Sequence, residues 1–140
     1  MGRYVIPFFT FTMLWISVFS TDVLANEELS REEILQQRMA YYIHFGEFLV
    51  PWYYLAAIDQ YERNIQSVRS DIPKRDSVIA IQFSEEYWNG PLNSTDGDSP
   101  ASDISYFGGV GLDGNGDGIA DRNNDEDIIY TMASYLSQFG

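Results

Sequence analysis

Apolar and polar positions divide the chain into an apolar leader and a mixed remainder. One cation, Arg3, precedes an uncharged apolar run over residues 4–19, and Val23 and Ala25 then stand at the spacing of a signal-peptidase site. The run of about 16 residues is shorter than the roughly 20 that a stable membrane span needs. We therefore predict a signal peptide over residues 1–25, with an uncleaved membrane anchor as the alternative.

After the leader, helical periodicity begins at an N-terminal capping signal. Ser30 and Glu33 have the spacing of a capping box, which predicts a helix over residues 31–44. Gly46 is the expected stop, because glycine commonly ends helices. The apolar positions at helical spacing, expected to face the core, are Ile34, Leu35, Met39, Tyr42 and Ile43.

Two more helices are predicted further along the chain. Pro51 suits the first turn of a helix over residues 52–62, which is apolar almost all round and is expected to be buried in the middle of the domain. A last helix over residues 127–139 is capped by Asp125 or a neighbour.

The remaining segments are shorter or richer in loop-forming residues. Residues 77–83 are apolar and predict either a strand or the start of a helix. Residues 89–105 and 108–124 are rich in Gly, Asp, Asn and Ser and predict two loops. The mature part, residues 26–140, is thus expected to be one small, mainly α domain.

Composition and charge narrow the choice of partners. The net charge of −13 argues against nucleic acid and anionic lipid, because both need a basic surface. The chain has no cysteine, so the exported domain must be held by its core without disulfides. We expect a monomer with no membrane span after the leader is removed.

One carboxylate on the second helix is a candidate proton donor. Leu55, Ile58 and Glu62 share a helix face, so Glu62 is expected to be partly desolvated. Asp59, three residues earlier, adds a like charge, and both effects would raise the pKa of Glu62. Cleavage of a glycosidic bond needs such a protonated acid. A solvated carboxylate at a helix end is the alternative.

The Gly- and Asp-rich segment follows the start of a calcium loop. Oxygen ligands at positions 1, 3, 5, 7 and 9 are expected, and position 12 is Asn124 where such loops have a bidentate Glu. The alternative is a turn whose side chains bond to their own backbone. The candidate ligands are Asp113, Asn115, Asp117, the carbonyl of Ile119, and Asp121. Structural calcium is the one cofactor that the sequence suggests.

Three ordered motifs resemble the lysozyme-like domain of peptidoglycan lytic transglycosylases. Residues 50–62 read VPWYYLAAIDQYE, which is similar to the family helix that ends in the catalytic Glu. Residues 81–88 read IQFSEEYW, similar to the family's MQF segment with its Trp. Residues 111–121 read GLDGNGDGIAD and are followed by a helix start and a YL pair, as in the family. The resemblance covers nearly all of residues 30–140.

The resemblance implies a mechanism and a set of site residues. Glu62 would be the catalytic acid that protonates the bond between N-acetylmuramic acid and N-acetylglucosamine. It would then act as base on the muramic acid 6-hydroxyl, which closes a 1,6-anhydro ring without a metal or a second carboxylate. The residues implied to bind the glycan are Gln82, Phe83, Trp88 and Tyr135. The partner is then the peptidoglycan glycan strand, and the location is secreted or wall-associated.

Departures from the family pattern keep two other hypotheses open. Arg63 stands where the family has Ser and is expected to pair with Glu62, which would lower the pKa of Glu62. The chain also ends at Gly140, where the family continues with a helical stretch that closes the cleft, so a truncated domain is expected. Both features favour a non-catalytic peptidoglycan-binding or regulatory module, or an inactive fragment. A calcium-stabilised interaction domain without a glycan ligand is the third hypothesis.

Overall fold

A computed structural model describes residues 30–93 and 99–139, and the predicted signal peptide lies outside them. The first helix, α1, spans Arg31–Leu49. It begins with the predicted capping box: Glu33 N–H donates to Ser30 Oγ at 3.3 Å, and Ser30 N–H donates to Glu33 Oε2 at 2.7 Å. Two of the N–H groups that lack helical partners are thereby satisfied, which fixes the start of α1.

The sequence predicted that α1 ends at Gly46, but Gly46 lies inside this helix. The helix continues to Leu49, and Gly46 is buried against the next helix. A Cβ atom at this position would come within 2.7 Å of the Trp52 Cα atom. The glycine is therefore required for the close approach of the two helices and not for a C-terminal cap.

The buried face of α1 also differs from the prediction. Tyr42, Phe45 and Gly46 are buried, whereas three residues expected to face the core are exposed. Those three are Leu35, Met39 and Ile43. Helices α2 and α5 pack on the side of α1 that carries Tyr42, Phe45 and Gly46, and sequence periodicity alone could not locate this side.

Helix α2 spans Trp52–Val68 and lies at the surface instead of being buried all round. Its inner side carries Leu55, Asp59 and Gln66, all buried. Aromatic side chains cover much of its outer side, and those exposed are Trp52, Tyr53, Tyr54 and Tyr61. The helix also runs six residues beyond the predicted end at Glu62, so Glu62 lies in the middle of it.

An extended segment without regular secondary structure crosses the core after α2. Ile79, Ala80 and Ile81 are buried there, although the sequence predicted a strand or a helix start for residues 77–83. Side chains of α2 satisfy its backbone: Gln66 Nε2 donates to the Ala80 carbonyl at 2.6 Å, and Arg63 Nη2 donates to the Val78 carbonyl at 2.9 Å. These bonds replace the ladder that a sheet would supply.

Short elements occupy the region predicted as loops. Helix α3 spans Glu85–Asn89, strand β1 spans Ser99–Pro100, helix α4 spans Ala101–Tyr106 and strand β2 spans Ile119–Ala120. The two strands pair antiparallel, with Ser99 opposite Ala120. The prediction of a loop over residues 89–105 was therefore wrong in part, because β1 and most of α4 lie within that range. The second predicted loop is largely irregular, apart from β2.

The last helix, α5, spans Asp125–Ser137, and Asn124 caps it. Asn124 Oδ1 accepts from Glu126 N–H at 2.8 Å, which confirms a cap adjacent to Asp125. Ile128, Ile129 and Ala133 of α5 complete a core shared with α1 and α2. The fold is mainly α, as predicted. Within residues 30–93 and 99–139, no helix has the length and apolarity to cross a membrane.

Candidate active site

Glu62 is half-buried in the middle of α2. Its position follows from helix geometry, because the buried Leu55 and the partly buried Ile58 lie on the same face, two turns and one turn earlier respectively. Burial raises the pKa of the Glu62 carboxyl, and the negative charge of Asp59 raises it further. The direction and both causes agree with the sequence prediction, so Glu62 retains its proton to a higher pH than an ordinary glutamate.

Asp59 is the centre of a buried hydrogen-bond network beneath Glu62. Its side chain is 1% exposed. Oδ2 accepts from the Tyr42 hydroxyl at 2.6 Å and from Arg63 Nη2 at 2.9 Å, while Oδ1 accepts from the Ala80 N–H. Three donors on α1, α2 and the extended segment therefore satisfy both oxygens of the Asp59 carboxyl and join these elements. Sequence reasoning identified Asp59 only as a neighbouring charge.

Arg63 pairs with Asp59. The sequence had suggested a pair with Glu62 instead. The same Nη2 atom bonds to Asp59 and to the Val78 carbonyl, both at 2.9 Å, so the guanidinium points toward the extended segment. Residues 59 and 63 are one turn apart on α2, so their side chains lie on the same side of the helix. Residues 62 and 63 are adjacent, so their side chains lie on different sides. The expected lowering of the Glu62 pKa by Arg63 is therefore absent.

Phe83 and Tyr135, two of the predicted glycan-binding residues, belong to one row of aromatic rings. Phe83 stacks on Tyr87 with ring centroids 6.3 Å apart and planes at 14°. Tyr87 meets Tyr135 edge-on at 6.1 Å, and Tyr135 contacts Phe139 at 5.0 Å. We call these four residues the aromatic row. Tyr87 is 44% exposed, so the row offers ring surface to a ligand.

Trp88, also predicted to bind glycan, is a core residue in this structure. It is 1% exposed, and its indole Nε1 donates to the Ala120 carbonyl at 3.2 Å. Its neighbour Tyr87 takes the surface position instead. The sequence could not decide between the two, because the burial of a one-turn helix depends on long-range packing against Gly111 and β2.

Gln82 lies at the edge of a cleft that it shares with Phe83. Its Nε2 donates to the Pro73 carbonyl at 2.9 Å, which fixes the amide and leaves its oxygen available as an acceptor. The segment that carries Gln82 is the one anchored to α2 by Gln66 and Arg63. The site elements on α2 and on residues 78–83 are thus held together by direct hydrogen bonds.

The predicted calcium loop is organised by its own hydrogen bonds and by Asp127. Asp113 Oδ1 accepts from Gly116 N–H at 2.6 Å and Oδ2 accepts from Gly118 N–H at 2.7 Å. Asp127, buried at the start of α5, accepts from Gly114 and Asp121 N–H groups, both at 2.8 Å. Within the described part of the chain, no three His, Cys, Asp or Glu side chains converge on one point that could hold a metal ion.

Burial raises the pKa of the Asp127 carboxyl, and this effect exceeds the lowering caused by hydrogen bonds from three backbone N–H groups. This carboxyl links the loop to α5, where the N-terminal end of a helix favours a negative charge. Asn115 and Asp117 are exposed, and Asn115 Nδ2 donates to Asp117 Oδ2 at 3.1 Å. The turn stabilised by its own side chains, one of the two sequence alternatives, describes this conformation.

Comparison with curated proteins relates the chain to part of a longer enzyme. An L-Ala--D-Glu endopeptidase of Bacillus subtilis (strain 168) is 40% identical to it over 129 residues. The match covers 91% of this chain but 39% of that enzyme, so the chain spans well under half of the relative's length. No family model and no solved structure matches the chain.

Proposed function

We propose that the chain is the glycan-cleaving domain of an exported peptidoglycan hydrolase, with a lysozyme-like fold and lytic transglycosylase activity. The observation that carries this proposal is the half-buried Glu62, whose pKa is raised by burial and by Asp59. A carboxylic acid that stays protonated is the group that a glycosidic oxygen needs as proton donor. The mainly α fold and the aromatic row beside Gln82 are compatible with a glycan-binding cleft.

The curated relative supports a peptidoglycan substrate. Its name specifies an L-Ala--D-Glu bond, which occurs in the peptide branches of peptidoglycan, so both proteins would act on the same polymer. The bond need not be the same, because this chain matches only part of that enzyme. The sequence has one His and no Cys, whereas zinc peptidase sites use two or three His or Cys ligands. Glycan cleavage therefore suits these residues better than peptide cleavage.

The chemistry assigned to Glu62 has two steps. The protonated carboxyl donates its proton to the oxygen that joins N-acetylmuramic acid to the next sugar, and that bond breaks. The resulting carboxylate then accepts a proton from the muramic acid 6-hydroxyl as this oxygen bonds to the anomeric carbon. The 1,6-anhydro ring forms and Glu62 is protonated again. Phe83 and Tyr135 would provide ring surfaces for the sugars, and Gln82 a hydrogen-bond acceptor.

The test is the identity of the products released from purified peptidoglycan. We expect wild-type protein to release muropeptides that end in 1,6-anhydro-muramic acid, identified by mass spectrometry. Muropeptides with reducing ends would show hydrolysis and overturn the transglycosylase assignment. Co-sedimentation with peptidoglycan without any released product would support the non-catalytic binding module instead.

We also propose that calcium binds the loop of Asp113, Asn115, Asp117, Ile119 and Asp121 and stabilises the fold. Support comes from the spacing of these residues and from the exposure of Asn115 and Asp117. Calcium at tenfold above its Kd should stabilise the protein by about 1.4 kcal/mol and raise Tm by roughly 4–8 °C. Asp117→Asn should reduce that rise, and Asp76→Asn, an exposed aspartate outside the loop, should not. Equal Tm values in calcium and in chelator would contradict the proposal.

A further inference from the structure

A cationic cleft adjoins Gln82 and Phe83, and we define it by the three basic residues Lys74, Arg75 and Arg122 that line it with them. Its volume is about 220 Å³, which is room for roughly seven water molecules. None of its lining residues, all within the described part of the chain, is acidic. The chain has 8 basic residues and a net charge of −13, so three cations at one cleft are a marked local reversal of charge.

Arg75 forms the fixed wall of the cationic cleft. Its Nη2 lies 2.9 Å from Asp125 Oδ1 and donates to the Asn123 carbonyl at 2.6 Å, and its Nη1 donates to the Ile81 carbonyl at 3.2 Å. The side chain is 10% exposed. Its charge is therefore compensated by Asp125, and its role is to hold the cleft in shape.

Lys74 and Arg122 supply the uncompensated charge. Lys74 is exposed and has no ion-pair or hydrogen-bond partner among the described residues. Arg122 lies at a loose 3.5 Å from Glu85 and donates to the Phe83 carbonyl at 3.3 Å, so part of its guanidinium faces solvent. The cleft thus carries about one free positive charge, and its lining includes N–H donors and Phe83.

We propose that the cationic cleft binds a carboxylate of the peptide branches of peptidoglycan. This inference rests on the proposed function, because it names the part of the polymer that the site recognises besides the glycan. One free positive charge matches a single carboxylate, and D-Glu, a residue in the bond named for the relative, carries one. Phosphate groups of wall polymers are a second source of anions, and removing these polymers from the sacculi distinguishes the two sources.

The experiment measures co-sedimentation with sacculi whose phosphate polymers have been removed. One half of the sacculi keeps its peptide carboxylates, and in the other half methylamine and a carbodiimide convert them to methylamides. All proteins carry Glu62→Gln, so that no glycan is cleaved during the measurement. General electrostatics predicts that an acidic protein binds the amidated sacculi better, whereas the cationic cleft predicts binding weaker by about five- to tenfold.

Two variants and a matched control connect the effect to the cleft. Lys74→Gln and Arg122→Gln should bind untreated sacculi about five- to tenfold more weakly and should lose the preference for free carboxylates. Arg31→Gln makes the same charge change at the exposed start of α1 and should bind like the parent protein. Variants that bind like Arg31→Gln would overturn the proposal.

The remaining outcomes separate this proposal from the proposed function. Equal binding to both kinds of sacculi, with anhydro products from the wild-type protein, would overturn the carboxylate site alone. An absence of binding to either kind would overturn the carboxylate site, and an absence of products from the wild-type protein as well would overturn both proposals. Binding that depends on Arg122 only when phosphate polymers are left in place would assign the cleft to phosphate and contradict the carboxylate.

Discussion

Replacing Glu62 with Gln should reduce the release of anhydro-muropeptides by about 10³-fold, within the range measured for the loss of a general acid–base group. Gln has nearly the same shape as protonated Glu but cannot donate or accept the transferred proton. The rate is measured as product released per time from purified peptidoglycan. Glu47→Gln, an exposed carboxylate on α1, is the matched control and should retain wild-type activity.

The raised pKa of Glu62 gives this prediction a pH signature. The proton donor is lost as pH rises through the raised pKa, so wild-type activity should fall toward alkaline pH. For stability, the folded state binds more protons than the unfolded state between the ordinary and the raised pKa. Stability therefore falls as pH rises through that window, and the loss persists above it.

Calorimetry can detect this loss without any substrate. Glu62→Gln removes the ionisation, so its Tm relative to wild type should be higher at pH 7 than at pH 4. A Tm difference independent of pH would mean that Glu62 has an ordinary pKa. Glycan cleavage retained by Glu62→Gln would contradict its role as proton donor directly.

Local signals in the sequence predicted the beginnings of α1 and α2 correctly, and that of α5 to within two residues. The capping box at Ser30, the proline before α2 and the polar cap before α5 act within one turn, so they can be identified without knowledge of the fold. Helix ends and buried faces were predicted less well. Gly46 and the outer side of α2 depend on which neighbouring helix approaches, and that is a long-range property.

In the candidate site, too, local sequence predicted some features and long-range packing determines the others. Helix spacing was enough to place Glu62 near Asp59 and to predict the direction of its pKa shift. The partners of Asp59 come from residues 42 and 80, which are distant in sequence, and no local pattern indicates them. The sequence indicated Trp88 instead of the exposed Tyr87 for a related reason, because only packing against β2 determines which of the two is buried.

Replacing Asp59 with Ala should have the largest effect on stability, a loss of about 3–5 kcal/mol. The side chain is 1% exposed, and its removal leaves the Tyr42 hydroxyl, Arg63 and the Ala80 N–H without their acceptor. A partly buried guanidinium that loses its counter-ion and two neutral donors that lose their acceptor each carry a desolvation cost. Urea unfolding of both proteins at the same pH measures the difference in free energy of unfolding.

The control is Asp71→Ala, which removes an aspartate from an exposed ion pair with Arg69. Its side chain is 66% exposed, so the loss should stay below about 1 kcal/mol. Equal losses for the two variants would contradict the buried network. Asp59→Asn adds a second readout, because it removes the charge that raises the pKa of Glu62 and should shift the alkaline fall of activity to lower pH. A destabilised variant with an unshifted profile would confine Asp59 to a structural role, so the two measurements together determine whether the network that holds α2 also tunes its acid.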